Sequence, residues 1–408
     1  MPVNKPDSLG HVGVIRYGFF PADRGVRREV EELRAEGFNV CVVCRRDERQ
    51  AAVETIDGIH IHRLPVGGRG DSLWSYLVST KVFCLLATLR LVWLHQRKPF
   101  QFVQVNNPPD YLTAVAIVLR LLGAKIILRV QQPVPEHFEV RYSKWYHKPI
   151  SRVLRLTETV SVKVSDRVIV QNRRIRDRLG ERGADLNKIA MVMDVIADSA
   201  IRLDEHQLLV DKITDARKGE RRQGIFTIVT HLPVERDSGV DMVVKAVARL
   251  QDRLPGLAYR LIGGGSYIAR VLRLAQEMNV SDRVQFVGAL GIDEMIGEIL
   301  TADIGIVPVK KNPYTDLLHS TTIYDYIAMG KPIIASRLEA LTAYFAEDSL
   351  IYFESEDADD LAEKIYSVFA YPEDVGIRVS NTSDIYDAHR WERERKKYVG
   401  VYQQLLKG

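Results

Sequence analysis

Short apolar runs alternate along this chain with longer stretches whose apolar residues recur every three or four positions. Residues 11–16 (HVGVIR) read as a buried strand, 24–36 as an amphipathic helix and 38–44 as a second strand. The pattern continues with strand 59–63, helix 72–96, strand 101–105, helix 110–122, strand 125–130 and, after another helix, strand 167–171. A second series follows. It comprises strand 225–230, helix 239–253, strand 257–262, helix 266–278, strand 283–287, helix 292–301, strand 303–307, a helix–strand pair within 319–336 and helix 358–371. Strands alternating with helices predict a parallel sheet covered on both faces, formed twice. The expected fold class is therefore α/β, with two doubly wound domains facing across a cleft and ligands at the C-terminal ends of the strands. The boundaries expected are 1–200 for the first domain, 201–224 for a charged linker and 225–387 for the second domain. The last segment, 388–406, is amphipathic, with Trp391, Tyr398, Val401, Tyr402 and Leu405 near one face. No strand follows it, so 388–408 is expected to pack back on the first domain.

Composition narrows the class. The chain has 408 residues, 46% hydrophobic and 27% charged, as in a soluble globular protein with sizeable cores. The N-terminus runs from a short polar lead straight into a strand, and no uncharged apolar run approaches the ~20 residues of a spanning helix. A cytoplasmic location is expected. Three cysteines give no disulfide framework. Cys41 and Cys44 form a C-x-x-C inside a strand, where residues three apart point to opposite faces, so joint metal ligation is not expected.

The net charge of +4 conceals an asymmetry, because residues 1–200 carry 31 Lys and Arg against 21 Asp and Glu. Much of the excess lies in 141–178. A basic half suits an anionic partner such as a phospholipid surface or a phosphorylated carrier. The run 141–156 interleaves aromatics with cations, but no nucleic-acid motif accompanies it, and no nucleic-acid partner is expected. Helix 72–98 carries the stripe Trp74, Leu77, Val78, Val82, Leu85, Leu86, Leu89, Val92 and Trp93. Packing of that stripe on the sheet is the expectation, and a membrane-surface helix the alternative.

Candidate chemistry gathers in the second half. In HSTTIYDYIAMGKPIIAS (319–336), Ser320, Thr321 and Thr322 precede a helix whose free N–H groups and dipole favour an anion, although an ordinary capped helix explains the same residues. Asp325 lies one turn inside that helix, within reach of ribose hydroxyls. Gly263, Gly264 and Gly265 separate a strand from a helix and let backbone N–H groups approach a ligand. Gly288 ends the next strand.

The sequence resembles the family 4 glycosyltransferases of the GT-B fold over nearly its whole length. The resemblance rests on GFNVCVVCRR, GAKIILRVQQPVPE, RLIGGGSYIARVLRLAQEMNVSDRVQFVGAL, ADIGIVPV, IYDYIAMGKPIIAS and the terminal RWERERKKYVGVY. It implies two Rossmann-like domains, the first binding an acceptor and the second a nucleotide-sugar, with retention of configuration. No metal or other cofactor is implied, leaving-group charge being met by the helix end and basic side chains. Carried over by position, Arg236 and the N–H groups at Ser320, Thr321 and Thr322 would meet the diphosphate, and Asp325 the ribose. Gly18, Gly263, Gly264, Gly265, Val287 and Gly288 would border the nucleotide-sugar. Asp316, beside Leu317, stands in for the first of two family glutamates, and Gln131 would border the transferring sugar. Several positions depart from the pattern. Arg129, Gln131 and Gln132 occupy the place of an Asp-x-His-Asp, ahead of Pro135 and Glu136, with His137 following. Thr322 falls where relatives often carry lysine.

Two functions are expected from this. One is a glycosyltransferase moving a sugar, with UDP as the expected nucleotide, to a carbohydrate, lipid-linked or small-molecule acceptor in cell-envelope polysaccharide, glycolipid or natural-product assembly. Peripheral contact of the basic first domain with the inner face of a membrane belongs to that expectation. The alternative is a catalytically degenerate GT-B protein acting as a partner subunit or nucleotide-sugar binder.

Overall fold

The computed structural model describes residues 9–67, 73–142, 148–195 and 224–407. The expected linker therefore lies outside the described residues but for Gly224, as do 68–71 of the VGGRGD loop and 143–147 of the basic run. Two compact units form, Met1–Met193 with Glu394–Gly408, and Asp194–Arg393.

In the first unit the described elements are β1 (His11–Phe19), α1 (Arg24–Ala35), β2 (Asn39–Arg45), β3 (Val53–Ile56), β4 (Ile59–Leu64), α2 (Leu73–Arg97), β5 (Phe102–Asn106), α3 (Thr113–Leu121), β6 (Lys125–Val130), α4 (Val134–Arg141), α5 (Lys148–Val164), β7 (Arg167–Val170), α6 (Arg173–Glu181) and β8 (Ile189–Met191). The sheet order is β3-β4-β2-β1-β5-β6-β7-β8. All pairings are parallel except β3 with β4. The central strands are apolar on both sides because helices cover both faces, and Val12, Val14, Val42, Val43, Val103 and Ile127 are fully buried. Side-chain caps set two helix starts, Asp23 accepting from the Val26 N–H and Asn172 from the Ile175 N–H. From β1 the chain winds one way through β2 and β4, then the other way from β5 onward. The reversal puts a switch point at the C-terminal ends of β1 and β5.

The second unit contains β9 (Phe226–His231), α7 (Val240–Leu250), β10 (Leu257–Ile262), α8 (Ile268–Glu277), β11 (Val284–Gly288), α9 (Ile292–Thr301), β12 (Ile304–Val307), α10 (Thr322–Ala328), β13 (Ile333–Ser336), α11 (Glu339–Thr342), β14 (Ile351–Phe353), α12 (Ala358–Ala370) and α13 (Glu373–Ala388). Its parallel sheet has the order β11-β10-β9-β12-β13-β14, so the winding reverses between β9 and β12. One apolar core joins Ile228, Val243, Val247, Leu261, Ile306 and Leu361. Lys331, of the Gly-Lys-Pro turn, is buried and donates to the Leu300 and Ala302 carbonyls at 2.7 and 2.8 Å, which closes the end of α9.

The last helix, α14 (Trp391–Lys407), crosses back to the first unit. Tyr398 donates to Gln104 Oε1 at 2.7 Å, Lys125 Nζ to the Leu405 carbonyl at 2.6 Å, and Glu394 accepts from the Met193 N–H at 2.9 Å.

Some expectations shift. The helix expected at 239–253 ends at Leu250, and the one at 110–122 begins with a 3-10 turn, Asp110–Leu112. The short elements β3, β8, β14, α4 and α11 carry too few residues for a periodic signal, and α13 is too polar to show one. The stripe expected to pack α2 on the sheet is corrected. Trp74, Val78, Val82, Leu85, Leu89 and Trp93 are exposed, and the buried side is formed by Phe83, Ala87 and Leu91. Residues Trp74–Arg97 are long and apolar enough to cross a membrane, with mean hydropathy 1.7 over the best window.

Candidate functional site

Four loops meet at the C-terminal end of the second sheet, around the switch between β9 and β12. His231 is the last residue of β9, and its Nδ1 lies 3.6 Å from Asp325 Oδ2 on α10. Asp325 is 2% exposed. The His231 N–H donates to the Tyr326 hydroxyl at 2.9 Å, and that hydroxyl donates to the Val229 carbonyl at 3.3 Å. Two successive side chains of α10 thus tie the helix to the end of β9. Burial pushes the Tyr326 phenol well above its ordinary value, so it stays a neutral donor.

The glycine-rich loop after β10 is held by the loop after β9. A Cβ on Gly263, whose φ is +136°, would stand 2.1 Å from the Leu232 carbonyl oxygen, and one on Gly265 would stand 2.2 Å from that of Val234. Val234 donates to the Gly264 carbonyl at 2.9 Å, and Gly263 to the Gly288 carbonyl at 2.8 Å. Ser266 donates to Glu235 through both its N–H and its hydroxyl. Gly264 is exposed and a Cβ there would meet nothing. Two of the three glycines are thus required by backbone approach within the unit, and Gly264 alone faces open space. Gly288, at φ +91°, and Val287 sit beside them at the end of β11.

Arg236 opens a 3-10 turn, Arg236–Ser238, and is exposed. The following Gly239, at φ +71°, would clash through a Cβ with the Pro308 carbonyl, so the loops after β9 and β12 touch. Lys310 reaches across them, its backbone N–H to the Asp237 carbonyl and its Nζ to Asp241 Oδ2, both at 2.9 Å. Sequence reasoning missed His231 and Lys310. His231 ends β9 and Lys310 follows β12 after Pro308 and Val309, and a polar residue closing an apolar run at the switch point was the signal available.

At α10 the hydroxyl cap weighed above does not form. Thr321 is the N-cap residue in right-handed helical geometry and makes no side-chain cap bond, and Thr322 is buried. Ser320 accepts from the Ile323 N–H through its carbonyl at 3.4 Å. Asp316 is engaged elsewhere, accepting from the Glu339 N–H at the start of α11 at 3.0 Å, with Lys311 at 3.8 Å.

Gly18 and Gln131 lie in the first unit. Gly18 is near the end of β1, and Gln131 follows β6. Asn107 fixes that second loop: its Oδ1 accepts from the Gln131 and Gln132 N–H groups at 2.6 and 3.1 Å, and its Nδ2 donates to the Gln132 carbonyl and to Asp110. Asn107 was not singled out from the sequence, though VNNPPD announces a rigid turn after β5. Glu136 is buried between Arg178 and Arg182, which gives the Pro-Glu pair a structural task, and His137 sits half-buried on α4. Arg129 is 1% exposed and paired to Glu29 on α1.

The two units correspond to two known domains. The Glycosyl transferase 4-like domain matches residues 22–193, and Glycosyl transferases group 1 matches residues 223–370. A GDP-mannose-dependent alpha-(1-6)-phosphatidylinositol monomannoside mannosyltransferase from Mycolicibacterium smegmatis is 28% identical over 101 residues, 24% of this chain and 26% of that protein. A D-inositol 3-phosphate glycosyltransferase from Corynebacterium jeikeium is 25% identical over 181 residues, 42% of each. The alignments with these curated relatives thus span less than half of their length. In structure, sucrose-phosphate synthase from Thermosynechococcus elongatus superposes with TM-score 0.74 at 18% identity, covering 98% of this chain and 99% of its own. HepE of Anabaena, in complex with UDP, superposes with TM-score 0.69 at 12% identity and covers the same shares.

Proposed function

We propose that this chain, which belongs to the family 4 glycosyltransferases of the GT-B fold, moves a sugar from a nucleotide diphosphate to an acceptor, with retention of configuration. The observation that carries the reading is the buried Asp325 carboxylate beside His231 at the second unit's switch point, at the same end of the sheet where Arg236, the three glycines and Gly288 follow or end β9, β10 and β11. In it the second unit is the nucleotide-sugar domain and the first the acceptor domain. Asp325 accepts from the ribose hydroxyls. The Gly264 N–H, the start of α10 and the Arg236 guanidinium meet the diphosphate and stabilise it as it leaves, and no metal is needed for that step. Gly18 and Gln131 contribute sugar contacts from the first unit. Asp316 has the weakest claim among the expected residues, since one of its oxygens already holds α11.

UDP remains the first choice of nucleotide, supported by the UDP complex of the Anabaena neighbour. The mannosyltransferase relative named for GDP-mannose favours GDP as the second reading. Its lipid acceptor supports a lipid-linked acceptor here. A thermal-shift panel of UDP, GDP, ADP and their hexose conjugates tests the site, because a ligand bound only by the folded state raises the unfolding temperature. A rise with one diphosphate identifies the donor class for transfer assays. No rise with any of them overturns the donor assignment.

A further inference from the structure

Helix α2 presents its apolar stripe outward. Trp74, Val78, Val82, Leu85, Leu89 and Trp93 follow one another at intervals of three or four residues and are 38–77% exposed. The opposite side of the same helix is saturated, Phe83, Ala87 and Leu91 being fully buried against the sheet and α3. Neighbouring helices extend the face. On α3, which packs between α2 and α5, Leu121 is 83% and Val118 37% exposed. On α5, Val153, Leu156 and Val160 are 60, 63 and 45% exposed. Large apolar residues exposed on three helices that pack side by side mark a place where something binds.

The charges around it share one sign. Helices α2 and α3 contain no Asp or Glu, and the one acid of α5, Glu158, is buried against Arg182. Arg120 and Arg155 are paired with Asp166 and Glu139 on neighbouring elements. Lys81, Lys98, Lys148, Arg152 and Lys163 are exposed and form no ion pair among the described residues. At the C-terminal end of α2 the Trp93 ring lies under two guanidinium groups, Arg97 at 3.7 Å and Arg90 at 4.7 Å from its centroid. An amphipathic aromatic flanked by cations suits the boundary between apolar chains and charged headgroups.

We infer that the outer face of α2, α3 and α5 docks on the surface of an anionic lipid bilayer, with α2 lying in the plane of the interface. The charge pattern selects this occupant. A second copy of the same face would oppose cation to cation. A nucleic acid would meet the lysines but leave the Val and Leu stripe uncovered. Crossing the bilayer would strip α2 from β1, β2, β4 and α3, against which its inner side is packed. The lipid surface satisfies both features, taking the aliphatic stripe among its acyl chains and the lysines among its phosphates.

Vesicle sedimentation with the full chain tests this. The protein should pellet with vesicles containing about one-third phosphatidylglycerol and far less with pure phosphatidylcholine. Leu85→Asp with Leu89→Asp should reduce binding at least ~ten-fold, and Lys81→Glu with Lys163→Glu should reduce it and flatten its salt dependence. All four positions are exposed, so unfolding temperatures should stay near that of the unaltered chain, which is checked in parallel. Ile377→Asp, at a 68% exposed apolar residue of the second unit, should bind as the unaltered chain does. Failure to pellet with either vesicle overturns the inference. So does binding that survives the double aspartate variant, or a dimer in sedimentation velocity that this variant dissolves. The assay contains no nucleotide, so its outcome is separate from that of the donor assignment.

Discussion

Arg129 Nε donates to Glu29 Oε1 at 2.7 Å, with both side chains at least 98% buried, and this pair joins β6 to α1. The link continues. Gln104 donates to the other Glu29 oxygen at 2.9 Å, while its own carbonyl accepts from Tyr398 and Tyr402 of α14. Arg129 also donates to the Val192 carbonyl at 3.2 Å. Arg129 is therefore an internal cation that helps seat the last helix.

Removing one partner leaves a buried charge without its mate. Arg129→Met should destabilise the chain by about 3–5 kcal/mol, and Glu29→Gln with Arg129→Met by clearly less. Urea unfolding followed by circular dichroism checks both. Equal losses from the single and double variants would show that the pair is not the source of the effect.

Most of the layered fold was legible because its strands are short apolar runs and its helices have one apolar face. That reasoning fails where covering is not by this chain's own core. The α2 stripe has the right period, yet it is the outer face, and periodicity alone cannot say which side of a helix meets the sheet. The candidate site was legible as glycines and an acid at the ends of strands. His231, Lys310 and Asn107 were not, because each acts through a partner distant in sequence, as His231 does through Asp325. Asp316 and Arg129 show the converse, since a position within a family motif says nothing of a local bond such as that from the Glu339 N–H.

The glycine loop separates fold from binding. Gly263→Ala and Gly265→Ala each force a Cβ into a carbonyl, and each should cost more than about 2 kcal/mol of stability. Gly264→Ala should change stability by less than about 0.5 kcal/mol. If the Gly264 N–H meets the diphosphate, the same change should still weaken nucleotide binding, which calorimetric titration measures. Unchanged affinity would remove Gly264 from the site.

Asp325 and Arg236 should respond differently to substitution. Asp325→Asn keeps the shape and removes the charge, and it should weaken nucleotide affinity by about ten-fold or more, as loss of a charged hydrogen-bond acceptor does. Arg236→Ala is at an exposed position and should leave the unfolding temperature unchanged while weakening diphosphates more than nucleosides. Equal affinity for nucleoside and diphosphate in the unaltered chain would contradict the role given to Arg236.

Asp110 predicts a pH dependence with a definite sign. Its carboxyl is 2% exposed, accepts from Asn107 at 2.8 Å, and is pushed up from its ordinary 3.8 to about 7, first by burial and then by nearby Glu158. Between those values the folded state holds a proton that the unfolded state has released, so this group's contribution to stability falls as pH rises. The loss begins above the ordinary carboxylate range and is complete above about 7, at a size on the order of 2–4 kcal/mol. His319 acts in the opposite direction. It is buried among Tyr324, Tyr344 and Phe345, and burial lowers it to about 3, so its contribution is lost as pH falls below the ordinary imidazole value. The two slopes oppose each other in the unaltered chain, and a single profile cannot separate them. The difference profile can. Asp110→Asn, which preserves the oxygen that accepts from Asn107, should gain stability relative to the unaltered chain as pH rises from about 5 to about 8. Urea midpoints across that range measure the gain, and parallel profiles for the two proteins would show that Asp110 stays ionised in the folded state.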